Sequence, residues 1–322
     1  MGSSWRPGHE KSMKKTRFPL SAPDGLEVSV LRWLPDTPPK AAVQIVHGLA
    51  EHAGRYDRLA GALTSSGYAV YASDLRGHGQ TAKTPADLGY FAERDGWGRC
   101  LGDLWRLNRH IASENPEKPV FVLGHSMGST LARHLMALHG DGPAGVVLSA
   151  AGGLPTLMAA SGRLTTRLER MRLGRRGISR LLESLTFGAF NRRFKPARTP
   201  FDWLSRDPAE VDKYIADPLC GFPASVQLWI DLLDAWAWVS RPGNLAGVPR
   251  ELPILVISGA HDPVSEGTKM LLPMLDQYRR AGLKKVDHKF YPEARHELFN
   301  ETNREEVTAD LIAWLEEQNP KP

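Results

Sequence analysis

The chain has 322 residues, enough for one α/β domain carrying an insertion, and its 41 basic against 36 acidic residues leave a formal charge of +5. An excess that small excludes little: it keeps a protein soluble and suits an anionic partner such as lipid headgroups. However, no Gly-rich phosphate loop ending in Lys-Ser/Thr and no nucleic-acid module of basic and aromatic residues is present, so nucleic acid is not expected as a partner. Two cysteines, Cys100 and Cys220, are too few for a disulfide framework, which makes the cytoplasm the expected compartment.

Residues 1–16 are polar and basic with no apolar run for a signal peptide, and they read as a disordered leader. The Met-Gly start lacks the Ser or Thr that a myristoylation signal needs where Arg6 stands. Beyond it, short runs rich in Val and Ile recur at Glu27, Ala42, Tyr68, Pro119 and Ala144. Helical spacing fills the gaps at 55–67, 97–113 and 128–140. That alternation predicts an α/β fold, a parallel sheet with helices on both faces. The uncharged stretch 142–162 is long enough for a membrane span, but Gly152, Gly153 and Pro155 break it, so a buried strand and a loop are expected there.

After Gly152 the rhythm stops for roughly ninety residues, then resumes at Leu252–Gly259 and Lys285–Ala294. We therefore expect a core of 17–152 and 246–322 with a helical cap inserted at 153–245. Within the cap, Ser161–Leu185 has Leu164, Leu168 and Met171 on one side and Arg163, Arg167 and Arg170 on another. The basic side suggests peripheral contact with an anionic membrane surface; a solvated helix packed on the core is the plainer reading. Gln227–Val239 is apolar and Trp-rich, suited to an acyl pocket or to core.

The chemistry centres on Gly124-His125-Ser126-Met127-Gly128, between a strand and a helix. A serine hydroxyl attacks a carbonyl only if it is exposed and a base takes its proton; the Gly-x-Ser-x-Gly turn supplies the exposure. An acid and then a histidine should follow, and Asp262 and His296 both stand just beyond strands. His261 and His288, and Asp231, Asp234 and Asp287, are weaker competitors. Oxyanion donors are expected from the Met127 amide and from Leu49, which follows His47-Gly48 after an early strand. His47 and His52 lack partners at metal spacing, so no metal is expected. Gly77–Ala82, "GHGQTA", satisfies the dinucleotide pattern literally but opens no helix, with Pro85 close behind.

Taken together, "HGLAEHAGRY", "DLRGHGQT", "FAERDGW", "GHSMGS", "GAHDPVS" and "ARHELFNE", with "ADPLCGFP" at Ala216–Pro223, resemble the monoacylglycerol lipase and lysophospholipase branch of the α/β-hydrolases over Arg17 to Leu315. The resemblance implies a mostly parallel eight-stranded sheet flanked by helices, an inserted helical cap, and cofactor-free hydrolysis of a lipid ester. It also implies Ser126, Asp262 and His296 as a triad and Leu49 as one oxyanion amide. An Arg-rich cap from Leu154 to Ala197 departs from the family pattern. The same machinery on this fold also cleaves amides, and a related chain can serve as a binding protein without catalysis.

Overall fold

The computed structural model describes residues 13–152 and 156–319. Eight strands form one sheet: β1 (Lys14–Ser21), β2 (Glu27–Leu34), β3 (Ala41–Val46), β4 (Tyr68–Ser73), β5 (Val120–His125), β6 (Gly145–Ser149), β7 (Ile254–Gly259) and β8 (Val286–Tyr291). Their order is β1-β2-β4-β3-β5-β6-β7-β8. β1 and β2 run antiparallel to their neighbours and all other pairs are parallel.

The four central strands are buried throughout, which is why they read as continuous apolar runs. Alternation still sorts their side chains. Val46, Val122, Val146 and Val256 face a core shared with helices α2 (Gly96–Glu114), α3 (Met127–Leu138) and α9 (Leu271–Arg280). Val43, Phe121, Leu123 and Ile257 face the opposite core, with α1 (Asp57–Ser65) and α10 (Arg304–Gln318).

β1 differs from the sequence reading. Lys14, Lys15 and Thr16, placed in the leader, pair with Leu34, Trp33 and Arg32 of β2. An edge strand needs no apolar run, and Pro19 within β1 is tolerated there because among the described residues no strand pairs with its outer side. Residues 1–12 lie outside the described residues. The "GHGQTA" segment forms a short 3-10 turn at Gly79–Thr81, not the start of a long helix. A Cβ on Gly79 would sit 2.3 Å from the Asp74 carboxyl carbon, and Asp74 accepts the Ala53 and Gln80 amides, so the glycine serves packing.

Between β6 and β7 lie α4 (Thr156–Leu173), α5 (Arg180–Leu185), α6 (Phe187–Phe190), α7 (Pro208–Ala216) and α8 (Val226–Val239). Among the described residues only an isolated bridge, Ile178 to Ser225, adds β structure there. No helix among them is long and apolar enough to cross a membrane.

α8 packs into the core. Trp236 Nε1 donates to Thr130 Oγ1 on α3 at 2.8 Å, and Trp238 stacks on His134 at 3.8 Å between centroids. Beside them the buried Arg133 donates from Nε to the Tyr278 hydroxyl at 3.0 Å, from Nη2 to the Val239 carbonyl at 3.3 Å and from Nη1 to the Gly152 carbonyl at 3.5 Å. No carboxylate pairs with it among the described residues. The carbonyl end of α8 supplies the compensating negative potential.

α4 adds to the sequence reading the direction in which its two sides lie. Three of its arginines lean toward α8, where Asp234 and Gln227 offer acceptors, and stay partly exposed: Arg163 reaches Asp234 at 2.7 Å and Arg170 reaches Gln227 at 3.2 Å. Leu164, Leu168 and Met171 are consequently 62%, 55% and 83% exposed. The apolar stripe thus faces water more fully than Arg163 and Arg167 do.

Candidate active site

Ser126 sits at the β5–α3 turn with φ 54° and ψ −119°, a conformation a non-glycine residue holds only when its surroundings enforce it. They do. A Cβ on Gly124 would lie 2.3 Å from the Gly128 carbonyl oxygen, and one on Gly128 would lie 2.0 Å from that of Val46, so only glycine fits at either position. The Ser126 amide donates to Ser149 at 2.9 Å, and Ser129 Oγ donates to the Ser126 carbonyl at 2.6 Å.

Asp262 and His296 come from the loops after β7 and β8. Those loops touch: a Cβ on Gly259 would lie 2.1 Å from the Ala294 carbonyl, and the His261 amide donates to that same oxygen. His296 Nδ1 lies 3.0 Å from both oxygens of the fully buried Asp262, and Asp262 Oδ1 also accepts the Val264 amide at 2.9 Å. A proton on Nδ1 leaves Nε2 as the acceptor. The competitors are elsewhere: Asp231 and Asp234 are on α8, Asp287 accepts from Trp314, and His261 and His288 are exposed.

The loop after β3 runs alongside Ser126, since a Cβ on Gly48 would be 3.2 Å from Ser126 Cβ. Leu49 in this loop and Met127 at the first turn of α3 line the same cavity as Ser126 and His296. The loop is tied down at Ala50, whose carbonyl accepts from the Gly221 amide and the Tyr214 hydroxyl, each at 2.9 Å. His47 spends both ring nitrogens on backbone, with Gly48 and Leu75. His52, Asp217 and Cys220 gather within metal-binding reach of one another. Both nitrogens of His52 are already engaged, however, by Gly54 and Asp217.

The cavity measures about 440 Å³ and is mostly apolar, walled by side chains of the inserted segment such as Leu185, Phe187, Trp203, Trp229 and Leu233. The Trp-rich α8 lines the cavity and packs in the core: Leu232 and Trp236 face the cavity while Val226, Leu228 and Val239 are buried in packing.

Charged residues not singled out from the sequence lie at its polar end. Glu51 accepts from the Gly48 amide at 2.6 Å and the Tyr56 hydroxyl at 3.0 Å, and Arg55 joins it to Glu297. Glu51 and Arg55 stand inside the "HGLAEHAGRY" stretch, but nothing local shows that Glu297 meets them. The His125 and Trp203 rings each lie 4.9 Å from that of His296. Burial, with the nearby His296, pushes His125 down to about 4 and keeps it neutral. Burial also pulls on His296, but the Asp262 carboxylate outweighs it and holds the imidazole above its usual range.

The pattern of the serine aminopeptidase S33 family matches residues 37–303, more than half of the chain. The chain belongs to that family. Members of the α/β-hydrolase class in which this S33 chain falls include its relatives in sequence. It is 29% identical to a monoacylglycerol lipase of Mycolicibacterium smegmatis over 310 residues, covering 94% of this chain and 98% of that one. It is 30% identical to a monoglyceride lipase of Rattus norvegicus, covering 87% and 86%. Among solved structures, a thermostable carboxyl esterase from Bacillus coagulans superposes with a TM-score of 0.87 at 26% identity, over 96% of this chain and all of that one. A monoglyceride lipase from Saccharomyces cerevisiae, at 18% identity and a TM-score of 0.73 over 98% and 99% of the two chains, shares the fold.

Proposed function

We propose that this S33 member hydrolyses lipid carboxylic esters, monoacylglycerols or lysophospholipids, through an acyl-enzyme on Ser126. The observation that carries the reading is Ser126 on its enforced turn at the mouth of a 440 Å³ apolar cavity that also holds His296. His296 Nε2 takes the Ser126 proton as Oγ attacks the ester carbonyl, and the Leu49 and Met127 amides hold the oxyanion. Collapse expels the alcohol, which takes that proton from His296. Water, deprotonated in turn by His296, then releases the fatty acid and regenerates Ser126. Asp262 keeps the proton on Nδ1 and stabilises the imidazolium. The acyl chain occupies the apolar cavity beneath the inserted segment, with 153–245 as cap over a core of 17–152 and 246–322. The reaction draws on no cofactor. The family's description favours one second reading, attack on an amide by the same groups.

The exposed apolar stripe of α4 supports peripheral work at a membrane surface, and the low cysteine count supports the cytoplasm as the compartment. The decisive experiment sets p-nitrophenyl esters of graded length, their matching amides, a monoacylglycerol and a lysophospholipid against wild type and Ser126→Ala. Long-chain esters should be turned over fastest. A fluorophosphonate probe should label wild type alone. Equal labelling of the variant removes Ser126 as nucleophile, and faster amide turnover moves the activity to the second reading.

A further inference from the structure

Arg55 is a buried guanidinium shared by two buried carboxylates. Its Nη2 donates to Glu297 Oε2 at 2.8 Å and its Nη1 to Glu297 Oε1 and to Glu51 Oε2, the last at 3.2 Å. The three side chains are 9%, 7% and 5% exposed. Further donors reach both carboxylates: the Gly48 amide and Tyr56 hydroxyl on Glu51, and Asn300 Nδ2 on Glu297 at 3.1 Å. One cation against two anions leaves a net charge of −1 away from water.

This cluster lies against the machinery. With His125 it lines a water-sized cavity of about 10 Å³, and Glu51 and Glu297 also line the large cavity beside Ser126 and His296. Charged or titratable groups surround His296 from several elements; Arg193 and Glu266, one of each sign, line the same cavity. Asp262 comes from the loop after β7, and Glu51 and Arg55 from the loop after β3. His125 ends β5, and Glu297 and Arg295 flank His296 in its own loop. His125 is neutral, and Arg295 turns away to the Asp202 and Ser205 carbonyls and the Phe194 ring. Two units of negative charge therefore face the imidazole, one from Asp262 and one from the cluster.

We infer that Glu51, Arg55 and Glu297 form a second counter-charge, which with Asp262 stabilises the imidazolium of His296 as Ser126 gives up its proton. This rests on the triad proposed above. The residues touch neither Ser126 nor the reacting bond, so they are positioning residues. Interactions stronger in the charged intermediate than in the resting neutral base speed the chemical step. Low-dielectric surroundings prolong their reach. The same charge makes the resting imidazole hold its proton to higher pH. Burial works the other way on His296, and Asp262 first, then Glu297 and Glu51, oppose it.

The two effects are linked, and their linkage is the test. The pH profile of kcat/KM and the plateau kcat are measured on a soluble short-chain ester for wild type, Glu297→Gln, Glu297→Asp and Glu51→Gln. Removing one negative charge should move the acidic limb to lower pH by about one unit or less, while kcat at the plateau falls several-fold and KM changes little. Glu297→Asp should restore most of both. Glu51→Gln, from a different loop, should shift the limb in the same direction if Glu297→Gln folds poorly. An acidic limb that stays in place or moves upward in whichever Gln variants fold overturns the inference. Fluorophosphonate labelling is a separate readout, and its persistence in Ser126→Ala would strike the proposed triad instead.

Discussion

Arg167 reaches from α4 to Asp234 on α8, its Nη2 lying 3.2 and 3.0 Å from the two carboxylate oxygens, and Arg163 meets the same carboxylate at 2.7 Å. A single partly exposed pair of this kind contributes little, roughly 0.2 to 1 kcal/mol. Two guanidiniums on one carboxylate nevertheless set the rotation of the helix. Turning the basic side toward α8 leaves Leu164, Leu168 and Met171 as an outward ridge.

Vesicle binding should accordingly depend on the ridge and not on Arg163 and Arg167. Leu168→Asp with Met171→Asp should weaken binding to neutral phosphatidylcholine vesicles tenfold or more, since burying each such side chain contributes about 1.5 to 3 kcal/mol. Turnover of a soluble short-chain ester should stay near that of wild type. Binding by the wild type should persist in high salt, where screened charges would let go. Salt-released binding that the Asp substitutions leave intact would return the membrane contact to the arginines.

Asp262→Asn should lower kcat by a factor on the order of 10⁴ with the fold retained, because an amide that donates to Nδ1 favours the wrong imidazole tautomer. Circular dichroism and a thermal melt establish folding, and the ester assay establishes the loss. A variant within tenfold of wild type would place the orienting acid elsewhere.

Asp231 on α8 carries a pH signature of its own. Burial, with Asp234 and Asp95 adding repulsion, pushes its carboxyl up to about 6. A carboxyl raised in the folded state folds more comfortably when protonated, so its penalty grows as pH rises from about 4 through 6 and is complete above that. Asp231→Asn keeps an acceptor for Gln227 Nε2, which donates to Oδ1 at 2.8 Å, and removes the charge. Urea unfolding should find the variant more stable than wild type at pH 8 by on the order of 1 kcal/mol, and the two alike near pH 4. Equal differences at both pH values would contradict this.

The candidate site residues were legible where the signal is local. Gly124 is imposed by the Gly128 carbonyl four residues on, although Gly128 itself answers to the distant Val46 carbonyl, and Asp262 follows β7, whose apolar run marks the sheet. Much of the rest depends on partners far along the chain. β1 pairs at an edge, where hydrogen bonds to β2 replace an apolar pattern. Periodicity divided α4 into two faces, but Asp234, some seventy residues on, chose which faces inward. The meeting of Arg55 with Glu297, 242 residues apart, leaves no mark in either neighbourhood.

The Arg133 anchorage has a consequence for recombination between relatives. One guanidinium grips the carbonyls of Gly152 and Val239, at the two necks of the inserted segment, and joins them to the helix that begins after Ser126. The fastening closes both necks at once, with α8 on the core side of the seam, and contacts such as Ala50 with Gly221 and Tyr214 hold the segment farther out. A transplant of residues 156–225 from another family member would leave both necks and α8 in their native sockets, whereas one that also carried α8 would have to rebuild the fit to Thr130, Arg133 and His134.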